Sequence, residues 1–244
     1  MNKTCIIIPC YNEENRLPQD EFLNYIKNNL DINFCFVNDG SSDQTLQILQ
    51  SMKLVYPENI VVLDLKTNQG KAEAVRSGIN HVILAYNYEI VGYFDADLAT
   101  PLIEIKRLLC LLNENNYSMA FGSRIKLLNY IIERSNFRHY IGRFFATLSS
   151  MCLKAAIYDT QCGSKIFKRE LASELFKTPF VTKWLFDVEL FARIVNSKGY
   201  DFLKTNVVES PLRVWIEKGD SKVKFSNGLL IPLQLLKIKR KYSL

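Results

Sequence analysis

The amino-acid sequence predicts an α/β protein with a Rossmann-like, mostly parallel central sheet flanked by helices. Short apolar runs of strand length recur through the first half of the chain, at residues 4–9, 33–37, 60–65, 89–94 and 117–121. Between consecutive runs lie helical patterns with short connections, the arrangement that joins parallel strands. Three runs stop at polar clusters, Tyr11-Asn12-Glu13, Asn38-Asp39-Gly40 and Asp95-Ala96-Asp97. Parallel strands end on one sheet edge, where ligands of open α/β sheets bind, so these clusters are expected to converge there.

Each element has its own reason. TCIIIP, from Thr4 to Pro9, is continuously apolar and ends at proline, as a fully buried parallel strand does. Tyr11 to Glu14 follow as a loop. Helix-like residues from Pro18 to Leu30 put Phe22, Tyr25, Ile26 and Leu30 on one face. NFCFV (33–37) is the second strand and breaks at the dense turn formers Asn38 to Asp43. Asp43 suits the N-cap of a helix carrying Leu46, Ile48 and Leu49. IVVLDL (60–65) is the third strand, and Thr67 to Lys71 open a helix that runs to about Tyr86. The strand from Glu89 stops at Asp95. Pro101 is expected to start a helix at its favoured first position, with Leu102, Ile105, Leu108, Leu109 and Leu112 inward. Tyr117 to Phe121 is the fifth strand. After Gly122 the rhythm breaks. Residues 124–158 read as a basic and then strongly apolar helical stretch, 180–199 as another helix, and 200–223 as a compact strand-rich segment.

With 244 residues, 48% apolar and 23% charged, the chain can build a sizeable core. No uncharged apolar run approaches the roughly 20 residues of a membrane span. The opening MNKTCIIIPCYNEE has too short an apolar core for a signal peptide. The expected location is therefore cytoplasmic. Six cysteines without a CxxC pair predict free thiols, several of them buried, rather than disulfides or a zinc site. Two histidines, His81 and His139, leave little room for chemistry built on several imidazoles. The net charge is +6, with basic residues concentrated from Arg124 to Arg143 and at Lys237, Lys239, Arg240 and Lys241. Such a surface favours polyanions: phosphates, nucleic acid or an anionic membrane face. Phe137 to Tyr158 and the C-terminal LLIPLQLLKIKRKYSL are candidates for helices that rest in a bilayer interface.

Asp95 and Asp97 offer hard oxygen ligands at a strand end. One or two carboxylates, completed by substrate phosphates and water, is the usual way to hold Mg²⁺ or Mn²⁺. Asn68-Gln69-Gly70-Lys71 precedes a helix whose N-terminus can face phosphate. Neither GxxxxGK[ST] nor GxGxxG occurs, so nucleotide binding of the common ATP or NAD kind is not expected.

Eight motifs stand in order along the chain: Pro9 to Glu13 (PCYNE), Asn38 to Asp43, Asn68 to Lys71, Asp95 to Thr100, Gly122-Ser123-Arg124, Asp159 to Lys165, Trp184 to Leu190 and Gly219 to Lys222. Together they resemble the family 2 glycosyltransferases of the GT-A fold, and within them the polyprenyl- and dolichyl-phosphate sugar transferases, most closely the dolichyl-phosphate β-glucosyltransferase type. The resemblance implies a single GT-A catalytic domain over residues 1–244, with a nucleotide-sugar half at 1–122 and an acceptor half at 123–244. It implies that Pro9, Tyr11, Glu13, Asp39, Lys71, Asp95 and Ala96 bind the nucleotide sugar, with Asn38 in place of the family's usual first Asp. It implies that Asp95 and Asp97 hold Mg²⁺ or Mn²⁺ as a Lewis acid on the leaving nucleoside diphosphate. Ala99-Thr100 after DADL matches the glucosyl type and points to UDP-glucose.

A polyprenyl-phosphate acceptor is already an anion at neutral pH, by analogy with phosphorylated side chains whose second pKa is about 6. It needs cations to position it rather than a strong base, and arginine forks suit phosphate. Arg124 and Arg138 are the expected catalytic cations, with Arg134, Gln161, Lys165 and Lys222 beside them on the acceptor side. Asp187, in the FDxEL motif, is expected to orient an arginine or touch the sugar or, with a hydroxyl acceptor, to serve as general base. The expected partners are a UDP-hexose, a polyprenyl phosphate and, peripherally, the anionic cytoplasmic face of a membrane, with no nucleic acid. Two rivals remain: the same fold glycosylating a hydroxyl of a surface polysaccharide or glycolipid, and a non-catalytic nucleotide-sugar-binding scaffold.

Overall fold

The computed structural model describes residues 3–133, 136–218 and 231–244, with residues 136–139 and 141 described by backbone alone. In chain order its elements are β1 (Thr4–Cys10), α1 (Gln19–Lys27), β2 (Ile32–Asp39), α2 (Thr45–Val55), β3 (Ile60–Leu65), α3 (Lys71–Ala85), β4 (Ile90–Phe94), α4 (Ile103–Glu114), β5 (Met119–Ser123), β6 (Ile131–Glu133), α5 (Asn136–Leu153), β7 (Ser164–Lys168), α6 (Arg169–Leu175), α7 (Phe186–Asn206), β8 (Val207–Pro211), β9 (Val214–Ile216) and α8 (Ile231–Tyr242). They fall into two compact units: residues 1–98 with 163–179, and residues 99–162 with 180–244.

In the first unit, β1 pairs in parallel with β2 on one side and β4 on the other, and β2 pairs in parallel with β3. Every residue of β1 except half-buried Pro9 is buried, as an apolar run covered on both faces must be. Helix α1 turns Phe22 and Ile26 inward. Phe22 meets Phe34 and Phe36 edge-on, with ring centroids 5.7 and 5.1 Å apart. Helix α3 lies close on the sheet because Gly78 has no side chain: a Cβ there would stand 2.7 Å from Ile7 and 2.8 Å from Val37. The parallel expectation is met by these strands, while β7 runs antiparallel to β4.

In the second unit, β5 pairs in parallel with β8, and β6 with β9. Ile132, Cys162 and Leu212 form a small core against Trp215. Helix α7 carries non-helical backbone at Gly199, φ 84° and ψ 172°, a conformation glycine tolerates at no side-chain cost. Helix α8 is tied down at its far end, where the Tyr242 hydroxyl donates to Glu189 Oε1 at 2.7 Å.

Several elements differ from the sequence reading. The stretch 124–158 is not helical throughout: β6 interrupts it, and α5 begins only at Asn136. The helix expected at 180–199 starts at Phe186, because the Glu189 carboxylate takes the N–H groups of Val181 and Thr182 and holds them outside the helix. Its first helical run breaks at Gly199, where the sequence reading ended the helix, and a second run continues to Asn206, into the segment expected to be strand-rich; residues 219–223 of that segment lie outside the described residues. Pro101 stands before α4, its carbonyl accepting Glu104 N–H at 3.0 Å, so it opens the preceding turn. Leu30 falls past the end of α1 and is exposed rather than inward. All six cysteines are free thiols, four of them buried.

Candidate active site

In the first unit the loops after β1, β2 and β3 are laced together. Asn12, at φ 49°, donates its N–H to Ser41 Oγ at 3.0 Å and accepts the Ser42 N–H at 2.9 Å. Glu13 N–H reaches Thr45 Oγ1 at 2.8 Å, and Glu14 N–H reaches Asp43 Oδ2 at 3.2 Å. Burial alone would raise the Asp43 carboxyl. The Thr45 hydroxyl and the N–H groups of Thr45 and Glu14 outweigh it and hold Asp43 below its ordinary value. Asp43 is not the N-cap expected of it: Gln44 holds that position without a side-chain cap bond, and Asp43, one residue earlier, accepts the N–H and the hydroxyl of Thr45.

Asp39 is 2% exposed, and its two carboxylate oxygens accept the N–H groups of Gln69 and Gly70, each at 2.8 Å. The contact is possible because Gly40, at φ 62°, has no Cβ; one would stand 2.5 Å from the Asn68 nitrogen. Asn38 has its own reason. Its amide donates to Asp64 Oδ1 at 2.7 Å, where an aspartate would face a like charge. Pro9 is half-buried, Tyr11 exposed, Glu13 buried and Ala96 buried.

Asp95 and Asp97 follow β4 directly. Asp95 N–H donates to Gly163 O at 3.1 Å, and a Cβ on Gly163 would sit 1.9 Å from Asp95 Oδ2. The Asp95 carboxylate thus lies in a cradle that only glycine leaves open. Its Oδ1 is paired with Lys71 Nζ. Asp97 Oδ2 lies 3.9 Å from Arg16 Nη2, and Arg16 Nε lies 3.9 Å from Glu13 Oε2. The next residue, Leu98, has φ 51°, strained for a branched side chain and typical of loops held for function. Among the described residues no group of three or more His, Cys, Asp or Glu could enclose a metal. A cation here would have two carboxylates and would complete its shell with ligand and water oxygens, the donor set that suits Mg²⁺ or Mn²⁺. Lys165, in β7, is fully buried with its ammonium 5.4 Å from the Tyr93 ring centre, so the structure puts it in the interior.

In the second unit Arg124 follows β5. Its fork meets Asp159, Nε to Oδ2 at 2.6 Å and Nη2 to Oδ1 at 2.8 Å, and its guanidinium lies 5.4 Å from the Trp215 ring centre. Asp159 is aimed by Glu209, whose carboxylate accepts the N–H groups of Tyr158 and Asp159 at 2.9 and 2.8 Å. A small cavity of about 40 Å³ opens here, lined by Arg124, Arg143, Tyr158, Thr160 and Gln161 among others. Arg143 stacks on Tyr158 at 3.6 Å from the ring centre and donates to its carbonyl at 3.1 Å. Asp187 is 4% exposed in the first turn of α7, where the helix dipole favours a carboxylate. Arg138 lies on α5, described by backbone alone, while Arg134 and Lys222 lie outside the described residues.

The structure thus groups Pro9, Tyr11, Glu13, Asp39, Lys71, Asp95, Ala96, Asp97 and Lys165 in one unit, and Arg124, Gln161 and Asp187 in the other. Sequence reasoning missed Arg16, Asp159, Glu209 and Glu189. Asp159 and Glu189 stood inside quoted motifs without a role of their own, and Glu189 also had the spacing to Arg193, four residues apart on a helix and 2.9 Å apart in space.

A family model described as glycosyl transferase family 2 matches residues 5–176. The chain is 34% identical to a human dolichyl-phosphate beta-glucosyltransferase, over 97% of this chain and 75% of that one. It is 33% identical to a dolichyl-phosphate beta-glucosyltransferase of Trichomonas vaginalis, over 96% and 72%. Among solved structures, glucosyl-3-phosphoglycerate synthase from Mycobacterium tuberculosis with phosphoglyceric acid aligns at a TM-score of 0.70 and 17% identity, over 97% of this chain and 80% of that one. The same enzyme with Mn²⁺, uridine diphosphate and glucosyl-3-phosphoglycerate aligns at 0.69 and 16% identity, over 99% and 80%. At these identities the likeness is one of fold.

Proposed function

The chain belongs to glycosyl transferase family 2, and from that premise we propose that it transfers glucose from UDP-glucose to dolichyl phosphate or a related polyprenyl phosphate, with inversion, in one displacement. One observation carries the choice of sugar and acceptor: the similarity to dolichyl-phosphate beta-glucosyltransferases along 97% of the chain. The geometry supports the chemistry that such a transfer needs.

On the donor side, Tyr11 and Glu13 line the nucleotide, with Pro9 and Ala96 shaping the backbone beneath it. Asp39 acts through the loop it holds, since both its oxygens are engaged by Gln69 and Gly70. Lys71, at the start of α3, binds the diphosphate. Asp95 and Asp97 would hold a divalent ion, which supplies Lewis-acid stabilisation of the leaving nucleoside diphosphate. On the acceptor side, the phosphate is already anionic, so an oxygen of it attacks the anomeric carbon as the bond to UDP breaks. Arg124, with Arg138 and Gln161, orients that phosphate, and Asp159 holds the Arg124 fork in plane. Lys165 and Asp187 are positioning groups.

The lipid acceptor asks for a membrane-facing surface. No helix among the described residues is long and apolar enough to cross a membrane. Tyr140, Phe144 and Met151 are exposed along one side of α5, and Leu233 and Leu236 are exposed on α8, whose last turn carries Lys239, Arg240 and Lys241. These helices rest peripherally on the anionic cytoplasmic face of a membrane in this reading.

The test is to supply dolichyl phosphate in detergent with radiolabelled UDP-glucose, UDP-galactose and GDP-mannose. Label is expected in the lipid-phosphate fraction from UDP-glucose, and is expected to vanish in Asp95→Ala and with chelator. Transfer only to soluble hydroxyl acceptors, lost in Asp187→Asn, would overturn the acceptor assignment in favour of a base-assisted reaction.

A further inference from the structure

We infer that Lys71 and Arg16 are built-in counter-cations of the Asp95–Asp97 pair: they neutralise the two carboxylates when no divalent ion is bound, and move to the donor's diphosphate when one is. The inference rests on the proposed donor reading for the identity of ion and nucleotide. Its geometry rests on the first unit alone.

Lys71 Nζ pairs with Asp95 Oδ1, and Arg16 stands between Asp97 and Glu13, its Nη2 3.9 Å from Asp97 Oδ2 and its Nε 3.9 Å from Glu13 Oε2. Together the two side chains carry the charge of one divalent ion. Both stand on segments that the site already uses. Lys71 is the first residue of α3, next to Gly70, whose N–H is fixed by Asp39. Arg16 leaves the loop after β1, its N–H donating to Glu13 O at 2.9 Å. Their side chains are 39% and 32% exposed, so long stems can swing without disturbing the core.

The consequence is competition followed by cooperation. A divalent ion arriving alone must lift both cations from their carboxylates and leave them beside a dication. Arriving with a nucleoside diphosphate, it leaves them facing phosphate oxygens. Ion and nucleotide therefore strengthen each other's binding, and the effect is reciprocal.

The test reads Mn²⁺ binding by electron paramagnetic resonance, without turnover, in wild type, Lys71→Met, Arg16→Gln and the double variant, each with and without UDP. Without nucleotide, the variants are expected to bind Mn²⁺ roughly threefold to fivefold tighter than wild type, the scale of half-exposed ion pairs. With saturating UDP that gain should disappear or reverse, so the enhancement by UDP, roughly tenfold in wild type, shrinks. Equal or weaker nucleotide-free binding in the variants overturns the inference. So does a gain that persists unchanged with UDP, which would be a general field effect. Asp95→Ala separates the two readings. If it binds Mn²⁺ as wild type does, the ion is not held by this pair and both fail. If it loses Mn²⁺ while the lysine and arginine variants are unaltered, only the counter-cation inference fails.

Discussion

Replacing Gly163 by alanine tests the Asp95 cradle with one methyl group. The added Cβ would lie 1.9 Å from Asp95 Oδ2, 2.3 Å from Cγ and 2.7 Å from Oδ1. Ordinary contact begins near 3.4 Å, so Oδ2 must retreat by about 1.5 Å. The backbone cannot absorb this easily, because Asp95 N–H is bonded to Gly163 O at 3.1 Å. The side chain can, being 39% exposed. The cost in stability is therefore small, about 1 kcal/mol or less, since only a half-exposed pair with Lys71 is lost. The cost in function is large. A misplacement of about 1 Å at a reacting centre can lower the rate by about a hundredfold, so turnover of UDP-glucose in Gly163→Ala should fall at least that far. Circular dichroism melts, Mn²⁺ titration and the labelled-lipid assay measure the three parts separately. Wild-type turnover in Gly163→Ala would refute the cradle. A collapse of the melt with Mn²⁺ binding intact would refute the division between stability and function.

Three further outcomes are expected. Asp39→Asn keeps the shape but can accept only one of the Gln69 and Gly70 N–H groups, so it should cost about 2 kcal/mol in urea unfolding, and an unchanged midpoint would count against the clasp. Asp43 is held below its ordinary value in the fold, so its contribution is present above the unfolded value of about 3.9 and is lost as pH falls through the folded one. The stability gap between wild type and Asp43→Asn should thus be widest near neutrality and close on acidification; a gap that widens in acid would reverse the sign. Arg124→Lys keeps the charge but loses the two-point contact with Asp159 and the Trp215 stack, and should lower kcat by roughly tenfold or more with little change in UDP affinity. A change confined to UDP affinity would move Arg124 to the donor side.

The sequence by itself determined the alternating strands of the first unit. Their signals are local: apolar runs long enough for one strand, turn formers at Asn38 to Asp43, and a carboxylate pair directly after β4. It also determined the family, because eight motifs in order need no folding to be read. What it could not contain was the choice of distant partners. β6 and β7 are short runs whose strand character comes from pairing with β9, 83 residues on, and β4, 70 to 78 residues back. Asp159 and Gly163 stood in a visible motif, yet one is a brace for Arg124 and the other a clearance for Asp95, roles that exist only once segments 35 and 68 residues apart meet. No motif contains Arg16, and its place in the site comes only from lying 3.9 Å from Asp97. Local pattern sets which backbone states are cheap; which charges and side chains face one another is decided by tertiary contact, where burial and distance give them their energy.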